Sequence, residues 1–370
     1  MDSQKKVFLF AAGGTGGHIF PALAIAESLK EKVPNAEICF VGTKRGLENS
    51  IVPNYSYHLH IINIGRLNSN VSILERLKTL LLLPYAFVQS AMLIIKLKPT
   101  GIIGVGGYAS GPILLMAALM GKKTFIWEPN AYPGMANRYL SPFVNKAFVI
   151  FEETKKWLKT NKTKVLGYPL RKIFSQKFEN KKFSKPLRVF IFGGSQGSRA
   201  INNILFELYK DVEVRTWEIE FVHQIGALDY SKFSELYKQL PEEIKSKIQI
   251  HEFIQDMPKY YNWAHFAICR AGMGTVAELS AMGVPALFVP LPNSADDHQL
   301  KNAESLVQRK AAALIRQSDL NLESLKSLIK KYLENPEDLS LMSQNMHSFH
   351  KGEASRKIVI SILKEVGIDT

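Results

Sequence analysis

Cysteine is nearly absent from this chain: Cys39 and Cys269 are the only two in 370 residues. Both stand in apolar runs far apart, and a secreted disulfide scaffold needs more of them, so the expected setting is a reducing cytoplasm. Also missing are an Asp-x-Asp triplet, a His-Glu-x-x-His and any paired Cys motif, which implies a site without metal and a reaction without a cofactor. Acid is in short supply, with 33 Asp and Glu against 47 Lys and Arg, and the net charge of +14 calls for an anionic partner. No zinc finger, RNA-recognition signature or basic zipper accompanies that charge, so no nucleic-acid partner is expected. Lys5-Lys6 before Val7 imitates a signal peptide, but the apolar run is short and leads into a glycine loop that the fold needs. A long apolar run is lacking too. Residues 79 to 95 carry no charge, yet Pro84 interrupts them and they fall short of the roughly 20 that span a bilayer. Their flanks, Arg76, Lys78, Lys96 and Lys98, suit a segment resting on an anionic membrane surface, with a buried core helix as the equal alternative.

What the chain does have is 46% hydrophobic residues with 22% charged, enough apolar side chains to fold alone and enough length for two domains. Its halves repeat one plan, an apolar strand running into a glycine cluster and then a helix. Val7 to Ala12 leads to Gly13-Gly14-Thr15-Gly16-Gly17, and Arg188 to Phe192 leads to Gly193-Gly194-Ser195-Gln196-Gly197. Further strands are expected at residues 38–41, 102–105, 124–127 and 147–150, and at 220–223, 248–251, 265–269 and 286–289. Strand alternating with helix means an α/β chain of parallel sheets with right-handed crossovers. The lysine-rich stretch from 164 to 186, with Pro169 and Pro186, reads as the linker. The expected domains are 1–166 and 167–349, with a final helix in 350–370 packing back on the first.

Gly13 to Gly17 before His18 lets backbone N–H groups approach negative charge at a helix start. The spacing is a poor dinucleotide fingerprint, because the third glycine would fall on Ile19 and the second strand ends at Val41-Gly42-Thr43 without a ribose-binding acid. Neither cluster ends in Lys-Ser/Thr, which excludes a Walker loop. His18 sits in the opening turn, where the helix dipole favours the neutral imidazole that can accept a proton, and is read as a general base over a capping or core role. Gly193-x-Ser195-x-Gly197 has two readings. As a nucleophile elbow it would make Ser195 an esterase nucleophile, with Asp256 and His298 completing a triad; as a phosphate loop it explains both halves at once. Cys269 to Glu278 is again strand, glycine turn and helix, and Glu278 can accept hydrogen bonds from vicinal hydroxyls such as those of a ribose. Asp296-Asp297-His298-Gln299 follows the next strand at the same carboxyl edge.

These segments together resemble the MurG-type N-acetylglucosaminyltransferases of bacterial cell-wall synthesis. The likeness rests on Gly13 to Ala24, Gly106 to Pro112, Glu128 to Asn137, Gly193 to Gly197, Phe253 to Met257, Cys269 to Glu278 and His298 to Ala303. It implies a GT-B fold, two Rossmann-like domains with parallel sheets facing across a cleft. It also implies UDP-GlcNAc as donor, an undecaprenyl-diphosphate-linked acceptor, and a peripheral protein on the cytoplasmic face of the membrane. The donor site would comprise Thr15, Gly16, Gly17, Asn130, Arg171, Ser195, Ile254, Met273, Gly274, Thr275, Val276, Ala277, Glu278 and Gln299. The acceptor site would comprise Gly13, Gly14, Gly104, Gly106, Gly107, Tyr108 and Asn137, the loops Gly13 to His18 and Gly104 to Ser110 as a whole would face the lipid diphosphate and acceptor sugar, and His18 would be the catalytic base. Trp127, Pro129 and Tyr168 depart from the family, which commonly has His, Gln and Asn there. The implied reaction is a single inverting displacement that joins GlcNAc β-1,4 to the acceptor's N-acetylmuramic acid. Its rivals are a related transferase for another lipid such as diacylglycerol, and the serine esterase.

Overall fold

Apolar runs without polar alternation must be covered on both faces, and here they become the inner strands of two parallel sheets. The computed structural model describes residues 6–44, 46–65, 72–174, 178, 183–194, 196–294 and 297–369. The chain divides into two compact units, Met1–Arg171 with Lys351–Thr370, and Lys172–His350.

In the first unit β1 (Val7–Ala12), β2 (Glu37–Gly42), β3 (His58–Ile61), β4 (Gly101–Gly106), β5 (Thr124–Glu128), β6 (Lys146–Val149) and β7 (Thr163–Val165) form a sheet in the order β3-β2-β1-β4-β5-β6-β7. Every pairing is parallel. Helices α1 (Gly16–Lys32), α2 (Glu48–Asn54), α3 (Ile73–Leu97), α4 (Ser110–Leu119) and α5 (Met135–Leu140) make the connections. Strand order reverses between β1 and β4, the switch point where open α/β sheets bind ligands beyond their carboxyl ends.

The second unit repeats the design with β8 (Leu187–Phe192), β9 (Ile219–Gln224), β10 (Ile248–His251), β11 (Phe266–Cys269), β12 (Ala286–Phe288) and β13 (Ala312–Leu314), in the order β10-β9-β8-β11-β12-β13. Its helices are α6 (Arg199–Lys210), α7 (Val212–Thr216), α8 (Tyr230–Lys238), α9 (Glu242–Lys245), α10 (Met257–Trp263), α11 (Met273–Met282), α12 (His298–Gln308), α13 (Leu322–Glu334) and α14 (Pro336–Phe349). The reversal falls between β8 and β11. The last helix, α15 (Ala354–Glu365), belongs to the first unit, where it packs on α1 and buries Ile358, Val359, Ile362 and Leu363.

The apolar stretch expected to break at Pro84 does not break. Helix α3 continues through the proline, and Leu77–Leu97 is a run of 21 residues with mean hydropathy 1.8, long and apolar enough to cross a membrane by length and composition alone. The proline removes one N–H bond to the carbonyl four residues back, but Pro84 and Leu80 are both exposed, so water can satisfy that carbonyl. A buried core helix is excluded as well, because only 22% of the run is buried. Thr79, Ala86, Ser90 and Ile94 face the unit, while Leu74, Leu77, Leu81, Tyr85, Val88, Met92 and Ile95 form an exposed apolar stripe at helical spacing.

Candidate active site

At the first switch point the loop after β1 and the loop after β4 fit into one another. A Cβ on Gly107 would lie 2.4 Å from the Gly13 carbonyl oxygen, and one on Gly106 would lie 2.5 Å from His18 Nδ1, so both contacts require glycine. Both glycines also have positive φ, 109° at Gly106 and 87° at Gly107. Ser110 Oγ donates to the carbonyls of Ala11 at 3.0 Å and Gly106 at 2.9 Å, joining the two strand ends. Gly13, Gly14, Gly104, Gly106, Gly107 and His18 are thus brought together, with Tyr108 in the same loop. His18 Nδ1 lies 3.0 Å from the Val105 carbonyl. A carbonyl only accepts, so Nδ1 is the donor, which in the neutral form of the ring puts the lone pair on Nε2. Thr15 caps α1 without a side-chain bond, which leaves the first-turn N–H groups of Gly16 and Gly17 to an outside acceptor. Arg171 lies at the end of the first unit, its guanidinium 5.3 Å from the ring of Phe20 on α1.

The loop after β5 is organised by a buried acid. Glu128 Oε1 accepts from Asn130 N and Nδ2 at 2.9 and 3.1 Å, and Oε2 from Gly134 N and Asn137 Nδ2, both at 2.9 Å. Burial raises the pKa of its carboxyl, and these four donors offset only part of the rise. Asn137 is only 3% exposed and its Oδ1 has no partner among the described residues, so this side chain shapes the loop from within. Trp127 and Tyr168, two of the departures from the family pattern, meet edge to face at 5.2 Å. The aromatic pair fills in apolar volume where the pattern has polar groups.

The second unit's switch point has the same parts. Gly197 and Gly226 interlock: a Cβ on Gly197 would sit 1.9 Å from the Ile225 carbonyl oxygen, and one on Gly226 would sit 2.4 Å from Gly197 N. Ser195 itself lies outside the described residues. Three residues on, Ser198 opens α6 without a capping bond, 6% exposed, its Oγ buried and without a partner among the described residues. A buried hydroxyl in want of an acceptor beside first-turn N–H groups is the chemistry of an anion site. Gln224 bridges the loop to the next segment, donating from Nε2 to the Gly194 carbonyl at 3.0 Å and accepting from Ile254 N at 2.9 Å.

Met273, Gly274 and Thr275 form the first turn of α11, whose cap, Gly272, has no side chain to offer. Glu278, one turn in, accepts from the hydroxyl of buried Tyr261 at 2.9 Å. Arg270, three residues before α11, donates to the carbonyls of Val289 and Pro290 and to Gln317 Oε1, all neutral. Gln299 Oε1 accepts from Leu291 N at 3.0 Å. Asp256, the acid of the esterase alternative, is exposed and accepts from Lys259 N as the cap of α10, a structural duty. No group of three or more His, Cys, Asp or Glu that could hold a metal occurs among the described residues. Sequence reasoning did not single out Ser198, Gln224 or Tyr261, since each acts through partners distant in sequence or through burial.

Comparison with known proteins gives one answer for both units. Residues 8–149 match the N-terminal domain of glycosyltransferase family 28, and residues 188–358 match its C-terminal domain. A relative from Bdellovibrio bacteriovorus, named UDP-N-acetylglucosamine--N-acetylmuramyl-(pentapeptide) pyrophosphoryl-undecaprenol N-acetylglucosamine transferase, is 44% identical over 360 residues, 97% of this chain and 99% of its own. One of the same name from Carboxydothermus hydrogenoformans is 37% identical, covering 95% of each. Among solved structures, MurG of Acinetobacter baumannii superposes with a TM-score of 0.80 at 30% identity, over 97% of this chain and 99% of that one. A UDP-GlcNAc 2-epimerase from Neisseria meningitidis, at 16% identity and a TM-score of 0.67, shares the fold alone.

Proposed function

The chain belongs to glycosyltransferase family 28, and on that premise we propose how its residues carry GlcNAc from UDP-GlcNAc to an undecaprenyl-diphosphate-linked MurNAc-peptide, the lipid I to lipid II step of peptidoglycan synthesis. The observation that carries the reading is the doubled switch point, one in each unit, each with a glycine loop opening onto helix N–H groups. Two phosphate-bearing substrates need two such sites. The first unit takes the acceptor's diphosphate on Gly13 to Gly17 and the loop from Gly104 to Tyr108, and the second takes UDP-GlcNAc.

In the donor site, Ser195 and Ser198 with the opening of α6 meet the diphosphate, Ile254 lies at the base, and Glu278 accepts from the ribose hydroxyls. Met273 to Ala277 and Gln299 line the nucleotide and sugar, and Asn130 is assigned to the transferred sugar. The acceptor's 4-hydroxyl oxygen attacks the anomeric carbon as the bond from that carbon to the diphosphate oxygen breaks. Its proton passes to His18 Nε2, the pair of electrons leaves with UDP, and the new linkage is β-1,4. Arg171 and the α6 N–H groups balance the charge on the departing UDP.

Helix α3 supports peripheral attachment to the cytoplasmic membrane face. Its exposed stripe lies beside exposed Lys78, Lys96 and Lys98, while its other side is committed to the protein core. The deciding experiment follows transfer from labelled UDP-GlcNAc to a short-chain prenyl-diphosphate MurNAc-peptide, with diacylglycerol as the rival acceptor and excess EDTA as a second arm. His18→Ala should lower kcat by about 100- to 10,000-fold with UDP binding intact. Preference for diacylglycerol, or complete loss in EDTA restored by magnesium, would replace this reading.

A further inference from the structure

The acid missing from the end of β2 is present six residues later, turned inward. Glu48, the first residue of α2, is completely buried. Its Oε2 accepts from Gly14 N at 2.8 Å, and its Oε1 from Thr43 N at 2.7 Å and Thr43 Oγ1 at 3.1 Å. Three glycines make room for it. A Cβ on Gly13 would lie 2.7 Å from Oε1, one on Gly42 would lie 2.5 Å from Cγ, and one on Gly46 would lie 1.8 Å from Oε2. The donors to this buried carboxylate are two backbone amides and a hydroxyl, all neutral. Such a group is held by the full set of its hydrogen bonds, since losing one leaves a desolvated oxygen without compensation.

The consequence falls on the first glycine loop. Gly14 has φ of +91° and no neighbour where a side chain would be, so local packing does not fix its backbone. The bond from its N–H to Glu48 at 2.8 Å does, assisted by a longer one from Leu47 N to its carbonyl at 3.4 Å. The bond to Glu48 turns the Gly14 N–H inward and leaves those of Gly16 and Gly17 at the opening of α1, with His18 one residue further. We propose that Glu48 is a positioning residue for the acceptor site, holding the loop so that these N–H groups and His18 face the acceptor. The proposal rests on the reading of this loop as the acceptor-diphosphate site.

The test compares Glu48→Gln with Gly46→Ala. The amide matches the carboxylate in size but presents an NH2 group to one of the two backbone N–H donors. The alanine keeps the charge and displaces it from the other side. Both variants should lose about 100-fold in kcat/KM for the short-chain lipid-linked acceptor, the cost of a misplacement of about 1 Å. UDP affinity, read by calorimetry on the same preparations, should be unchanged, because the residues assigned to UDP, Arg171, Ser195, Ser198 and Glu278, lie outside the segment that Glu48 ties together. Glu48→Gln with wild-type acceptor kinetics overturns the proposal, as does a parallel loss of UDP binding and transfer, which marks a general structural role. Should Glu48→Gln fail to fold, Gly46→Ala decides by the same two readouts. A wild-type chain that transfers nothing to this acceptor removes the acceptor reading and the proposal with it; an active wild type beside a matching variant removes the proposal alone.

Discussion

Glu278 meets Tyr261 before it meets any ligand. One carboxylate oxygen is fixed by a phenol with no exposed surface, which holds the side chain in place before any ligand arrives. Glu278→Ala should raise the KM for UDP-GlcNAc by the equivalent of about 1.5 to 3 kcal/mol, and Tyr261→Phe by about 0.5 to 1.5 kcal/mol, both measured from initial rates. Unchanged donor KM in Glu278→Ala would return it to an ordinary helix residue. His223 supplies a second prediction at this scale. It is fully enclosed with Tyr209, Tyr237 and Asn202, and burial lowers its pKa from 6.5 to about 3. The unfolded chain takes up a proton as pH falls through 6.5, while the folded chain does not until about 3, so folding loses stability on acidification across that window. The slope from this group is about 1.4 kcal/mol per pH unit, and stability is restored as pH rises back above 6.5. Urea unfolding between these limits should show a flatter acid limb in His223→Gln; an identical limb would show that this histidine is not the group responsible.

Helix α3 carries the element-scale prediction. Replacing Lys78, Lys96 and Lys98 by Gln should weaken partition onto anionic vesicles by about 3 kcal/mol, roughly a hundredfold, and added salt should weaken the wild type toward the same level. Leu77, Leu81 and Val88 changed to Ser should also release the protein, while activity on a soluble acceptor persists in both variants. Co-sedimentation unchanged in both would leave α3 as plain surface. The same helix shows where the sequence could be read and where not. The inner strands were legible because both faces are buried, so Val7 to Ala12 and Val189 to Phe192 are continuous apolar runs. β3, β7 and β13 escaped notice because they are short, partly exposed edge strands, the first two mixed in polarity, as in His58-Leu59-His60-Ile61, and the third only Ala312-Ala313-Leu314. Pro84 misled because its helix-breaking character is local, whereas the tolerance for it comes from solvent on that side of α3. At the site, the glycine loops announced themselves through composition and spacing. Glu48 and Gln224 did not, since each clamps a loop about 30 residues away and nothing in the identity of one Glu or Gln records which carbonyl or amide it will meet.

At the scale of the whole molecule, the two units are not equivalent segments of chain. The second is continuous from Lys172 to His350, but the first requires its last helix to come from the far end of the sequence. Helix α15 buries Ile358, Val359, Ile362 and Leu363 without residual exposure. At about 1.5 to 3 kcal/mol for each such side chain, the helix contributes about 6 to 12 kcal/mol, which is as large as the whole net stability of an ordinary domain, about 5 to 15 kcal/mol. The ion pair from Glu365 to Lys146, at 2.8 Å, adds little beside this, because both side chains keep some contact with water. Cutting the chain after His350 should therefore unfold the first unit while leaving the second intact. Limited proteolysis should degrade residues before 172 and spare a fragment from there to the new end, and that fragment should still bind UDP. Transfer should be abolished, whereas Glu365→Gln should remain active and melt close to the wild type. A truncated chain that resists proteolysis throughout and still transfers GlcNAc would mean that α1 and the sheet behind it can close without α15, and that the apolar burial α15 provides is replaced on truncation.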